Sequence, residues 1–255
     1  MNAMAPLLFK AWRESRGRFL ISAALLATIC VFGVFCRASL MAVFVPDERF
    51  VGAPYVGYIY LLIYKGMARG LFTIMAMVLA LGGLQRERLH RTAGFTLSLP
   101  VSRAWLVSAQ ALLGLTQVAV LSTLPVLLLA ACSQLAHVAY PLRQMACFSL
   151  LWFGSGAVFF AVAFLSAALF RSEYAALAVS FVFMILYPAA VLFPPLNRYP
   201  LNLNHIMSGL TMPYFDVRTA LLAGRPPWTL LVSLMIVAGL LIALAVRISK
   251  QRDYL

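Results

Sequence analysis

The sequence predicts an all-α integral membrane protein with six transmembrane helices. Three observations carry this expectation. Of 255 residues, 64% are hydrophobic and 11% are charged, whereas soluble chains average about 45–50% apolar and about 25% charged. A water-soluble domain of this length could not cover itself with so little polar surface. Charge-free apolar runs recur at the length needed to cross a hydrocarbon core of about 30 Å. Lysine and arginine gather in alternate connecting segments, as in proteins whose cytoplasmic loops are basic.

Taken in order, residues 6–18 read as an amphipathic helix lying in the membrane interface. Leu7, Leu8, Ala11, Trp12 and Ser15 share one side, and Lys10, Arg13 and Glu14 share another. Trp12, Arg13 and Arg16 are its interfacial residues; a merely basic flank is the alternative. The first span, 19–45, exceeds the 7–15-residue apolar core of a cleaved signal sequence, so it is expected to remain in the protein. The second span, 65–84, carries Lys65 and Arg69 one turn apart near its outer end, where long stems snorkel toward headgroups. The uncharged stretch Ala104–Leu142 is about 58 Å long as a helix, too long for one span. Ser133, Gln134, His137 and Pro141 break it, which gives a third span at 105–130 and a fourth at 145–170. The turn Arg171-Ser172-Glu173 leads to a fifth at 174–193, and the sixth is 228–246. Pro125 and Pro188 stand inside the third and fifth spans, as hinges or as packing features. Gly154, Ala157, Ala161 and Ala168 allow close approach to the fourth helix, most simply within one protomer.

The formal net charge of +13 admits three partners: nucleic acid, an anionic membrane face or an anionic substrate. Position decides among them. With both termini cytoplasmic, twelve of the 20 Lys and Arg residues fall in short inner segments, toward the anionic leaflet. No basic stripe forms a nucleic-acid footprint, so no nucleic-acid partner is expected; membrane lipids are. The four cysteines lack metal-ligand spacing and read as small buried apolar residues.

Two connecting segments and three cations are informative. In the inner loop 85–104, Leu89, Ala93 and Leu97 are four apart, opposite Arg86, Glu87, His90 and Arg91, and Pro100 stops a helix there. The loop is either a short amphipathic helix on the cytoplasmic surface or a solvated basic loop. The outer segment 194–227 carries six prolines around an apolar middle. It is either a re-entrant set of short helices or a capped outer loop. Arg37, Lys65 and Arg69, as ionisable residues in or beside spans, are the default functional candidates: a cationic outer mouth for an anionic or amphipathic substrate, or snorkelling side chains.

The R-E-R segment Arg86-Glu87-Arg88, then Thr92 and Gly94, then Leu97-Ser98-Leu99-Pro100-Val101-Ser102-Arg103 before Trp105, resembles the permease subunit of ABC-2 type ABC transporters. The W-R-E-S-R-x-R start at Trp12–Arg18, the Ala223–Trp228 approach to the last span and the Arg252-Asp253-Tyr254 tail agree with it, so the resemblance runs along essentially the whole chain. It implies an ABC-2, type V exporter-like architecture: one transmembrane domain over 1–255 that pairs with a second permease copy or a homologous permease. It also implies two cytosolic ATPase subunits and a bacterial inner-membrane location. The 85–104 segment would then be the coupling loop, with Arg86, Glu87 and Arg88 meeting the ATPase. Leu97, Pro100, Ser102 and Arg103 would shape the return into the membrane. The chain has no GxxxxGK[ST] phosphate cradle, so no cofactor is expected on it; ATP and Mg belong to the partner. The alternatives are an integral membrane enzyme and a non-catalytic scaffold. His90, His137 and His205 lie in separate loops without an HExxH pattern, which speaks against the enzyme.

Overall fold

A bilayer core offers the backbone no hydrogen-bonding partner, so each crossing segment must satisfy its own N–H and C=O groups as a helix. The computed structural model describes residues 4–44, 54–81, 102–170, 172–193, 201–210, 215–216, 220–222 and 226–251. Six helices among them are long and apolar enough to cross a membrane. The protein is therefore an all-α, multi-pass membrane protein in its architecture.

Helix α1 (Met4–Phe35) is followed, after a turn at Cys36, by α2 (Arg37–Phe44). Next come α3 (Pro54–Ile59), a π-helical turn over Tyr60–Lys65, and α4 (Met67–Ala80). The long helices α5 (Arg103–Leu135), α6 (Leu142–Leu169) and α7 (Glu173–Val191) succeed one another directly. A five-residue helix, α8 (Leu203–Met207), precedes a two-stranded antiparallel hairpin, β1 (Phe215–Asp216) with β2 (Leu221–Leu222). Helix α9 (Trp228–Gln251) closes the described chain.

Three expectations change. The interfacial helix 6–18 is not a separate element, because α1 runs unbroken from Met4 to Phe35. Its one proline, Pro6, stands in the first turn, where it breaks no helical hydrogen bond, and Gly17 meets no neighbour, so nothing turns the chain at Arg18. Its 32 residues make about 48 Å at 1.5 Å per residue, longer than a hydrocarbon core, and its first turns lean on α5 through Ser15 and Gln117. The second span starts near Tyr55 and ends at Ala80, so Lys65 and Arg69 lie inside it and not at its entrance. Gly66 breaks the regular helix there, with backbone angles of φ −101° and ψ −131°. One of the four cysteines also departs from the buried reading: Cys36, at the α1–α2 turn, is exposed.

Helix α6 is the hub. In its most apolar stretch 78% of the residues are buried, against 17% for α7 and 22% for α9, whose outward residues Ile185, Leu186 and Leu240 are exposed, as lipid-facing side chains are. The small residues of α6 do serve packing inside the protomer. Gly154 faces Leu231 and Leu234 of α9, and Ala157 and Ala161 are fully buried. At Gly156 a Cβ would stand 2.7 Å from Phe72 and 3.2 Å from Val118. Helices α5 and α7 continue through Pro125 and Pro188.

Gly156→Ala is expected to destabilise the purified protein by about 1–3 kcal/mol through overpacking, read as a lower thermal midpoint in detergent. Gly17→Ala, with open space around it, is expected to leave the midpoint unchanged or raise it.

Candidate functional site

At the N-terminal end of the bundle Arg18 joins three helices. Its Nη1 donates to the carbonyls of Val78 (3.4 Å) and Leu81, where the α4 ladder runs out. Its Nη2 donates to Oε1 of Glu173 at 2.6 Å. Glu173 stands in the first turn of α7, where a carboxylate also complements the helix dipole. Both side chains are about four-fifths buried, so water competes little for these contacts. Beside them lies a cleft of about 50 Å³, lined by Glu14, Ser15, Arg18, Gln110, Gln117 and Phe164 among others. That volume holds one or two waters and is far below the roughly 300–1,000 Å³ of small-molecule sites. Gln117 donates to Ser15 Oγ at 2.7 Å, and Ser15 in turn donates to the Ala11 carbonyl at 3.0 Å.

At the opposite end α8 and the hairpin are tucked into the bundle. Asn202 caps α8 by accepting from the N–H groups of Asn204 and His205. Gly209 ends it in the left-handed region (φ 73°), where glycine avoids the Cβ penalty. Arg69 Nη1 donates to the Asn204 carbonyl at 2.8 Å and to Ser208 Oγ at 2.6 Å. Tyr60 donates to the Ser208 carbonyl at 3.0 Å. Gln144 of α6 holds the hairpin like a missing strand: its Nε2 donates to the Leu222 carbonyl at 2.8 Å and its Oε1 accepts from the Leu222 N–H at 2.9 Å.

The residues singled out from sequence fall in different places. Arg86, Glu87, Arg88, Leu97 and Pro100 lie outside the described residues. Ser102 is the N-cap of α5, accepting from the Trp105 N–H at 3.4 Å, and Arg103 opens that helix. Trp12 packs against Phe19 at 5.6 Å between ring centroids, while Arg13 and Arg16 are exposed. Arg37 donates to the Ala136 carbonyl at 3.3 Å, at the end of α5. Lys65 is exposed, and with Arg69 it lies close enough to His205 to act on its charge. Sequence reasoning did not single out Arg18, Glu173, Gln117 or Gln144. Glu173 carried the only readable signal, as an acidic residue at the mouth of an apolar span. Among the described residues, no three His, Cys, Asp or Glu side chains are grouped to hold a metal ion.

Burial first, then the charges of Arg69 and Lys65, lowers the pKa of His205 below its ordinary value. The folded chain thus binds this proton less readily than the unfolded chain. Stability is unaffected above about pH 6.5 and falls as pH drops below it. The thermal midpoint is expected to decline between pH 7 and pH 5, and to decline less in His205→Gln; an equal decline in the variant would contradict this. No protein-family model matches the chain, and no curated protein matches it.

Proposed function

We propose that this chain is the permease subunit of an ATP-binding cassette transporter of the ABC-2 type, an exporter of the bacterial inner membrane with both termini cytoplasmic. It works with a second permease copy or a homologous permease and with cytosolic ATPase subunits, which bind the ATP and Mg. The chain itself is not an enzyme on this reading. The R-E-R and LSLPVSR segments carry the resemblance, and α4 supplies the physical support.

The inner loop leaves α4 just beyond Leu81, whose carbonyl Arg18 holds together with Glu173 of α7. Twelve residues back along α4, about 18 Å, Arg69 holds α8 at the other end. A displacement of the loop by a closing ATPase therefore reaches α1 and α7 through Arg18 and reaches the outer cap through Arg69. A packed helix tied at both ends transmits such movement as a unit. Glu87, Arg86 and Arg88 meet the ATPase in this scheme, and Pro100 with Arg103 fixes the angle at which the chain re-enters the membrane at Ser102.

Affinity purification from native cells is expected to bring down a cytosolic ATPase. Glu87→Ala and Pro100→Ala are expected to lower ATPase stimulation by the permease at least severalfold while circular dichroism shows the helical content retained. An intact chain that neither recruits an ATPase nor alters its turnover would refute the proposal.

A further inference from the structure

Six buried side-chain polar atoms among the described residues lack a protein partner: Tyr64 Oη, Arg69 Nε, Gln117 Oε1, Tyr140 Oη, Trp152 Nε1 and Ser155 Oγ. Of these residues Gln117 lines the cleft at the N-terminal end of the bundle, and the other five do not. Gln117 is 3% exposed, and Ser15 fixes which way its amide points. The Ser15 hydroxyl has one hydrogen and donates it to the Ala11 carbonyl at 3.0 Å, so toward Gln117 it can only accept. Gln117 therefore turns Nε2 to Ser15, at 2.7 Å, and Oε1 is left for the cleft that both residues line. An amide oxygen accepts and never donates. The partner it lacks is a hydrogen-bond donor.

The rest of the wall narrows the kind of donor. Arg18 is committed to the Val78 and Leu81 carbonyls and is matched by Glu173 at 2.6 Å. The Glu14 carboxylate lines the same cleft; with its two oxygens it accepts several hydrogen bonds, and its charge favours a cationic donor. The cleft measures about 50 Å³, which admits a group the size of a water molecule. A primary ammonium group fits on both counts, being compact and carrying three donors. A trimethylammonium group fits on neither.

The position of the cleft points to what carries the ammonium. On α1 beside Glu14, Trp12, Arg13 and Arg16 are exposed, and Leu20 and Ile21 are exposed one to two turns further on. Aromatic and basic side chains next to an apolar lipid-facing stretch mark the level of the headgroups. A zwitterionic phospholipid at that level offers its ammonium to the cleft and its phosphate to the arginines.

We propose that this cleft is a binding site for a primary ammonium group, of the kind a phosphatidylethanolamine headgroup carries, with Gln117 Oε1 and the Glu14 carboxylate accepting from its N–H groups. The site needs no ATPase partner and is measured on the chain alone, so its failure leaves the permease reading standing.

The purified full chain in detergent is titrated by calorimetry with short-chain phosphatidylethanolamine, with phosphatidylcholine of the same chain length, and with ethanolamine. Saturable binding of the ethanolamine lipid is expected, about tenfold or more tighter than that of the choline lipid, which shares the phosphate but has no N–H to donate. Gln117→Met and Glu14→Gln are each expected to shrink that preference severalfold while leaving the weaker choline-lipid binding as it is. The ratio between the two lipids separates recognition from folding, since a loosened structure would weaken both alike. Binding of ethanolamine supports a site for ammonium itself, and binding of the ethanolamine lipid without ethanolamine supports a headgroup site. Equal affinity for the two lipids, as water alone in the cleft would give, or a preference unchanged in both variants, would overturn the proposal.

Discussion

Three guanidinium groups inside the bundle hold helix carbonyls, two of them at helix C-termini, and the arrangement of the helices depends on these ties. Arg18 donates to carbonyls at the end of α4 and Arg37 to the C-cap carbonyl of α5 at Ala136, while Arg69 donates to the Asn204 carbonyl of α8, which also accepts the Ser208 N–H. The final carbonyls of a helix have no partner within the helix, and in a bilayer no water replaces it. A cation there satisfies the lone pairs and complements the negative end of the helix dipole. Each such bond contributes about 1.5–3 kcal/mol, because one partner is charged. The charges of Arg18 and Arg37 are thus matched to helix ends, and Glu173 is the single carboxylate brought to one of these arginines among the described residues.

All three ties join elements distant in sequence. Arg37 fastens the start of α2 to the end of α5, whereas Arg18 and Arg69 grip the two ends of α4. Between them α4 packs on α6, with Phe72 against Trp152 and against the Cβ-free surface of Gly156. Such contact leaves little slack, since close-packed interiors resist small displacements. Helices α7 and α9 leave most of their apolar surface exposed; α9 packs on α6 and α5, and α7 on α6 and α4. A movement at one end of α4 is therefore shared with the other end more directly than with the periphery.

The six crossings were legible because a hydrocarbon core imposes a length and an absence of charge, and both leave their mark on runs such as 145–170 and 228–246. The start of the second span was not legible. Lys65 and Arg69 read as a polar boundary, since the carbonyl and hydroxyl that make Arg69 tolerable inside come from Asn204 and Ser208, 135 and 139 residues away. The amphipathic face of residues 6–18 was legible, but its partner was not: periodicity reports that Leu7 and Ala11 are buried without saying whether lipid or α5 covers them. Gln144 gave no signal, because an amide that pairs with a β-strand backbone has the same sequence appearance as any glutamine beside a span. Trp152 and Tyr64 likewise look like ordinary apolar core until their polar atoms are found without partners.

The claim that buried arginines cap helix ends is tested most directly by hydrogen–deuterium exchange on the full chain with Arg18→Gln. Faster exchange is predicted in the last turn of α4 around Val78–Leu81 and in the first turn of α7 at Glu173. Protection in α3 and around Arg69 should stay at the parent level. Unchanged exchange at both helix ends, or a uniform loss of protection across the six helices, would contradict it.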